Sequence, residues 1–323
     1  LRRRRFLTMS IAAVGVYVIN DWWRSRAKPL IQRVTNFVTP QLNFFSTSIN
    51  PAFRPSISEE TFQLEIHHEE GRRIALSLAE IRRQPRLQQH RTLVCIGNPV
   101  GGASVGNALW TATPLSLLLE RVVRDQDPSG LRVVFYGLDG FYSSVPYPVA
   151  VDPDSMLAYE MNGRPLPSRH GYPLRVLLPG RYGMKQPRWL EKIVITASDE
   201  SGYWEKRGWS DSALINPLSR IDSAKPIGSG LWKVTGIAFC GDKAVGSVEL
   251  SADGGETWKR TRLTSSAQRH VWTTWEVDWR PSQNGEHILA VKVTDQDSRK
   301  QEGAFDGAFA SGSTGLHRVV VKV

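Results

Sequence analysis

The sequence predicts an α+β body followed by an all-β sandwich, and three observations carry that expectation. Between residues 60 and 215, short apolar strand-like runs alternate with helical patterns. After Asn216-Pro217 the helical runs vanish and strand-like segments recur between turn signals. The length, 323 residues, is enough for two cores rather than one. A content of 41% hydrophobic and 22% charged residues excludes a disordered chain.

The chain opens on Arg3-Arg4-Arg5-Phe6-Leu7-Thr8, followed by an apolar run over 9–19. This resembles a twin-arginine export signal, an address for folded, cofactor-loaded proteins. The run is shorter than the about 20 residues a bilayer span needs. Trp22, Trp23, Arg24 and Arg26 follow it, side chains suited to a membrane interface. An uncleaved anchor over 6–23 and an exported, periplasmic or extracytoplasmic location are therefore expected. The net charge of +10 is concentrated here, with eight Lys/Arg against the single Asp21 before residue 34. The remainder interleaves acids and bases, which argues against a nucleic-acid-binding body.

Residues 21–55 read as a connector wrapping the body. Strands are expected at 64–66, 93–96, 133–136, 174–178 and 193–196. Thr113-Pro114 reads as a helix start, with Thr as N-cap, Pro at the first helical position and 115–123 as the apolar body. Beyond 216, strands are expected at 232–239, 245–250, 258–263, 272–279, 287–293 and 317–323. Turns are expected at Asp253-Gly254-Gly255 and Asn284-Gly285. Strands so spaced suggest a sandwich of about 100 residues.

The candidate chemistry centres on Cys95, in Leu93-Val94-Cys95-Ile96-Gly97-Asn98-Pro99-Val100-Gly101-Gly102. A thiol there ends a strand and precedes a loop whose glycines allow close approach of a ligand. It reads as an inert buried cysteine, a nucleophile, or a single-thiolate metal ligand. The other cysteine, Cys240, is distant, so no disulfide framework is indicated. His67-His68-Glu69-Glu70 reads as an exposed turn, since adjacent strand residues cannot readily share a metal. The sequence lacks His-Glu-x-x-His, paired Cys-x-x-Cys and Cys-x-x-Cys-His, so zinc and covalent c-type haem sites have no support. Ser229 lies between Gly228 and Gly230, the wrong spacing for a nucleophile elbow. The stretch from Ser251 to Trp258 reads as a hairpin turn closed by a buried Trp. Two cationic, Gly/Pro-dense loops remain. His170 and Arg175 lie at one loop–strand edge, and Lys185 and Arg188 flank Gly183 and Pro187. Such groups suit an anion, including a phosphate-bearing cofactor.

The runs Cys95-Ile96-Gly97-Asn98, Gly106-Asn107-Ala108-Leu109-Trp110 and Leu138-Asp139-Gly140 stand in one order with three more. These are Ala158-Tyr159-Glu160-Met161-Asn162-Gly163, His170-Gly171-Tyr172-Pro173-Leu174-Arg175 and Gly183-Met184-Lys185-Gln186-Pro187-Arg188-Trp189. Together they resemble the sulfite oxidase family of molybdopterin enzymes, in its bacterial, exported, haem-free branch. The resemblance runs from about residue 42 to the end. It implies a signal, anchor and connector over 1–41 and a molybdopterin-binding α+β domain over 42–220. An immunoglobulin-like, dimerisation-type sandwich over 221–323 completes the chain.

Under the resemblance, Cys95 ligates molybdenum, and a soft thiolate suits that sulfur-rich site. Asn98, Asp139, His170, Arg175, Lys185 and Arg188 hold the pterin and its phosphate. The segment 44–50, with Phe44, Phe45 and Asn50, passes over the cofactor. Trp209 stands where the family places an active-site Tyr, and with Tyr203 is expected to shape the substrate pocket. The family's substrate arginines align near Thr47 and Phe309, so the cage for sulfite is largely replaced. The implied activity is two-electron oxygen-atom transfer on a small polar substrate, without efficient sulfite oxidation. The implied cofactor is molybdopterin without haem. Electrons would leave through an external cytochrome or membrane haem protein, from a homodimer or monomer. The rival reading is an anchored, non-enzymatic scaffold with a degenerate cofactor site. A cysteine-nucleophile hydrolase would need a His beside Cys95, and His170 is the obvious candidate.

Overall fold

A computed structural model describes residues 27–69, 71–124, 127–307 and 310–323. The expected export signal, the anchor over 6–23 and Phe309 lie outside these residues. No helix among the described residues is long and apolar enough to cross a membrane.

The body holds two five-stranded sheets. In the first, Arg73–Ser77, Gln63–His68, Leu190–Thr196, Arg132–Gly137 and Tyr142–Pro146 lie in that order. Gln63–His68 pairs with Leu190–Thr196 in parallel; its other pairs are antiparallel. In the second, Arg175–Leu177, Met156–Met161, Val105–Pro114 and Leu87–Val94 lie in order, with Arg164–Pro165 added to Met156–Met161. Leu64, Ile66, Phe135 and Ile193 from the first sheet share one core with Leu157 and Val176 from the second. The helix Ser116–Val123 adds Leu118, Leu119, Val122 and Val123, spaced for one apolar face.

That helix begins later than Thr113-Pro114 predicts. Pro114 ends the strand Val105–Pro114, and Leu115 stands at the N-cap. The Thr113 hydroxyl donates to the Pro85 carbonyl at 3.1 Å, so it has no capping role. Pairing with Met156 therefore overrides a local helix-start signal. His67 and His68 likewise differ from the expected exposed turn. Both belong to Gln63–His68, and the two-residue period turns His68 into the interior.

After residue 217 two sheets face each other. One comprises Leu218–Gly228, Leu231–Phe239, Thr273–Trp279 and Arg262–Leu263. The other comprises His317–Lys322, Glu286–Asp295, Val245–Ser251 and Lys259–Arg260. Ile221, Val234 and Trp275 of the first pack with Val248, Leu289 and Val291 of the second. The turn after Val245–Ser251 is built on Asp253, whose carboxylate accepts from the Glu256 and Thr257 amides at 3.0 and 2.9 Å. Trp258 is only half-buried there; its indole N–H donates to the Gly255 carbonyl at 3.0 Å.

The connector ties the two halves together. Lys28–Pro29 adds a parallel strand beside His317–Lys322, and the Arg33 amide donates to the Asp222 carbonyl at 2.7 Å. Further on, the Thr39 amide donates to the Asn107 carbonyl at 2.7 Å, inside the body. The chain then crosses the mouth of a cleft between these anchors and the first sheet.

Candidate functional site

The cleft opens to solvent and holds about 820 Å³ of empty space when its open mouth is counted. Two apolar clusters flank it. Phe44, Leu93 and Trp110 belong to one, with Phe45 packed against it. Val94, Ile96 and Met184 belong to the other, with Trp204 and Trp209 packed against it. The alternation of Leu87–Val94 sends Leu93 to the first cluster and Val94 to the second. Cys95 follows directly and lines the cleft between them, half-buried and free.

The cysteine turn is set by its sequence. The Cys95 amide donates to the Ser104 carbonyl and the Asn98 amide to the Cys95 carbonyl, both at 2.9 Å. The Asn98 side-chain oxygen accepts from the Ser104 amide at 2.9 Å. Pro99 has no amide to extend the ladder. Gly101 has φ +71°, and a Cβ there would stand 2.0 Å from the His317 ring. Asn98 thus shapes the turn from behind and does not line the cleft.

One end of the cleft is cationic. Arg175 opens the strand Arg175–Leu177 and is 4% exposed. Its guanidinium lies 5.2 Å from the Trp110 ring and donates to the His170 carbonyl at 3.1 Å. Its Nε is buried without a partner, and no carboxylate among the described residues pairs with it. Burial, reinforced by Arg188, pulls its pKa down to about 9, which leaves it charged near neutral pH.

Arg188 donates to the Ser46 hydroxyl at 2.6 Å and to the Thr47 carbonyl at 2.7 Å, and lies over the Trp189 ring at 4.3 Å. Burial lowers its pKa to about 10, with Asp139 opposing the shift. Asp139 accepts from the Ser48 hydroxyl and the Phe141 amide, each at 3.2 Å. His170 is 1% exposed, and its Nε2–H donates to the Gln41 carbonyl at 3.2 Å. Burial first, and then Arg175, pull it down to about 4, so it is neutral. Two guanidiniums therefore face one carboxylate in a partly desolvated cleft. Such a site calls for an anion.

The segment 44–49 forms the strap over this end. Phe44 stacks on Phe45 at 5.5 Å and meets His170 edge-on at 5.6 Å. Arg169 donates to the Phe44 carbonyl at 2.8 Å, and with Arg188 it holds the strap down. Asn50 lies just past the strap, exposed, where its side chain accepts from the Ala52 amide at 3.2 Å; it does not line the cleft.

The other end is aromatic. Trp204 and Trp209 stack at 4.6 Å, and both line the cleft with Phe141. Tyr203 does not line it. The one-turn helix Glu205–Arg207 and its flanks turn Tyr203 outward, under the Arg207 guanidinium at 3.7 Å. Trp204 takes the wall position that the sequence assigns to Tyr203.

Lys185 is the larger correction. It is fully buried away from the cleft, where it donates to the Ser144 carbonyl at 2.8 Å. It also pairs with Glu205, and with Asp211 at 3.2 Å. All three of its donors are engaged, so it is not available to a phosphate. The pair instead fixes Glu205, and through it the neighbouring Trp204. Lys185→Met leaves the Glu205 carboxylate buried, its Oε2 already partnerless. Its expected cost is about 3 kcal/mol of unfolding free energy, measurable by urea denaturation.

Ser46 and Ser48, within the segment expected over the cofactor, complete the site with Arg169 and Trp204, and nothing in the local sequence singles out Trp204. Among the described residues no group of three or more His, Cys, Asp or Glu is placed to hold a metal. A metal beside Cys95 would have to arrive with most of its ligands. The buried Arg175, its free Nε and the space in front of it fit an anionic, metal-carrying cofactor.

Residues 52–204 match the family model described as the oxidoreductase molybdopterin binding domain. The chain is 28% identical over 308 residues to mitochondrial sulfite oxidase of Homo sapiens, covering 80% of this chain and 56% of that protein. It is 30% identical over 290 residues to sulfite oxidase of Gallus gallus, covering 75% of this chain and 63% of that protein. The chain thus spans less than two thirds of the length of these curated relatives. Among solved structures, the sulfane dehydrogenase SoxCD from Paracoccus pantotrophus aligns with TM-score 0.77 over 90% of this chain and 84% of that one, at 20% identity. That likeness is one of fold.

Proposed function

This chain belongs to the molybdopterin oxidoreductase family that includes the sulfite oxidases, and from that membership we propose that it is a two-electron oxidoreductase acting by oxygen-atom transfer on a small substrate. The observation that carries the proposal is the cleft itself, where a half-buried free thiol and a buried guanidinium with an unpartnered Nε face one space. Bound there, a molybdenum–pterin group supplies the redox chemistry.

The chain's own residues do the rest. Cys95 offers one soft sulfur ligand from a hydrogen-bonded turn. Arg175 and Arg188 neutralise the anionic end of the group with directional donors. His170, neutral, keeps Nε2–H on the Gln41 carbonyl, which leaves Nδ1 as an acceptor. The strap over 44–49 covers Arg188 and Asp139 through Ser46, Thr47 and Ser48. Trp204 and Trp209 form an aromatic wall, and the cations that line the cleft among the described residues are Arg175 and Arg188, both assigned to the cofactor. This supports a substrate other than a small dianion such as sulfite.

Cys95, Arg175 and Arg188 together in one cleft support the enzyme reading over a non-catalytic scaffold. Delivery of electrons to an external redox protein, and export through the Arg3-Arg4-Arg5 signal, belong to the same proposal. The test is elemental and pterin analysis of the full chain made in a host that synthesises the cofactor. About one molybdenum per chain is the expected result; protein that folds and holds none sinks the proposal.

A further inference from the structure

The sandwich reaches across and grips the cysteine turn at three points. Arg220, on the strand Leu218–Gly228, donates from Nη1 to the Gly102 carbonyl at 2.8 Å. Ser313 donates from its hydroxyl to the Asn98 carbonyl at 2.6 Å. His317 packs its ring under Gly101, so closely that only glycine fits. Each gripping residue is itself fixed. Arg220 is nearly buried and pairs through Nε with the buried Asp222 at 2.5 Å. His317 accepts the Ile221 amide on Nδ1 at 3.0 Å, and burial, then Arg220 and Arg33, pull its pKa down to about 3, so the ring stays neutral.

We propose that Ser313, Arg220 and His317 are positioning residues for Cys95, so that the C-terminal sandwich, rather than the cofactor domain alone, sets where the thiol points. The path is short. Ser313 holds the Asn98 carbonyl; the Asn98 amide holds the Cys95 carbonyl, and its side chain holds Ser104, whose carbonyl accepts the Cys95 amide. Within the turn the Gly102 amide also donates to the Pro99 carbonyl at 2.8 Å, but Gly101 and Gly102 leave it conformational freedom that these local bonds alone do not remove. The sandwich supplies the restraint. The functional weight of the proposal rests on the reading of Cys95 as the metal's thiolate, but the restraint itself does not.

The chain carries two thiols only, and Cys240 is buried with its pKa pushed up to about 12. In the full-length, cofactor-free protein, a disulfide reagent such as DTNB at pH 8 therefore reports on Cys95 alone. Ser313→Ala is expected to raise the rate about threefold to tenfold, the loss of one hydrogen bond. Ser313→Thr, which keeps the hydroxyl, is expected to restore the wild-type rate. Val248→Ala, a cavity in the sandwich core, is expected to lower the melting temperature and leave the rate unchanged under native conditions. Equal rates in wild type and Ser313→Ala, or a rise of the same size in Ser313→Thr or Val248→Ala, overturn the proposal. In metal-loaded protein, Ser313→Ala should keep its molybdenum and shift the thiolate-to-metal absorption band. Protein matured in a cofactor-making host that holds no molybdenum would sink the functional reading while leaving the thiol result to judge the clamp.

Discussion

Cys95→Ser yields a folded protein that has lost at least about a thousandfold in turnover, the equivalent of ~4 kcal/mol in the barrier. The two halves of that result have separate causes. Stability is nearly untouched because the Cys95 side chain is half-buried and makes no hydrogen bond. The turn is held by backbone groups, by Asn98 and by the sandwich. The melting temperature should stay within about 2 °C. Function is lost because serine offers a hard, protonated hydroxyl where a soft thiolate is needed. Steady-state kinetics, metal content and the visible spectrum check it together. Wild-type turnover in a metal-loaded Cys95→Ser protein would remove Cys95 from the site.

Arg175→Met is expected to push two measurements in opposite directions. In the cofactor-free protein, Arg175 is a buried cation with an unpartnered Nε and no carboxylate. Removing such a charge relieves a desolvation cost, and methionine retains contact with Trp110. The cofactor-free variant should melt at or above the wild-type temperature. Cofactor retention should fall by about a hundredfold, the loss of one or two charge-assisted hydrogen bonds in a desolvated site. Calorimetry on the cofactor-free chain and pterin content after dialysis read the two effects. A strongly destabilised cofactor-free variant would show that Arg175 is structural and that its pairing with an anion is not why it is buried.

Much of the fold was legible locally. The alternating run at 64–66 and the continuous β-branched and aromatic runs at 133–136 and 193–196 lie within observed strands, because such side chains pack on a pleated, half-buried surface. Asn216-Pro217 immediately precedes the strand Leu218–Gly228. Local signals failed where a distant partner outbid them. Thr113-Pro114 reads as a helix start, yet pairing with Met156 keeps it in a strand. The His67-His68 pair reads as a solvated turn, yet pairing with Leu190–Thr196 makes it strand and buries one ring.

The same division runs through the site. The sequence by itself made the cysteine turn possible, since Pro99 brings no amide to a ladder and Gly101 is free to take the positive φ it shows. It also determined that cations cluster in the two loops around Arg175 and Arg188, because charge and glycine content are properties of a segment. Only the tertiary structure decided which cations face the cleft. Lys185 and Arg188 are three residues apart in one loop, but Glu205 and Asp211, some 20 residues on, pull Lys185 inside. Arg188 meets the 44–49 strap and stays at the cleft wall. Tyr203 and Trp204 divide in the same way, one turned to Arg207 and the other to Trp209. A buried charge goes where its counter-charge is and an aromatic ring where its stacking partner is, and in a folded chain those partners are set by packing rather than by sequence distance.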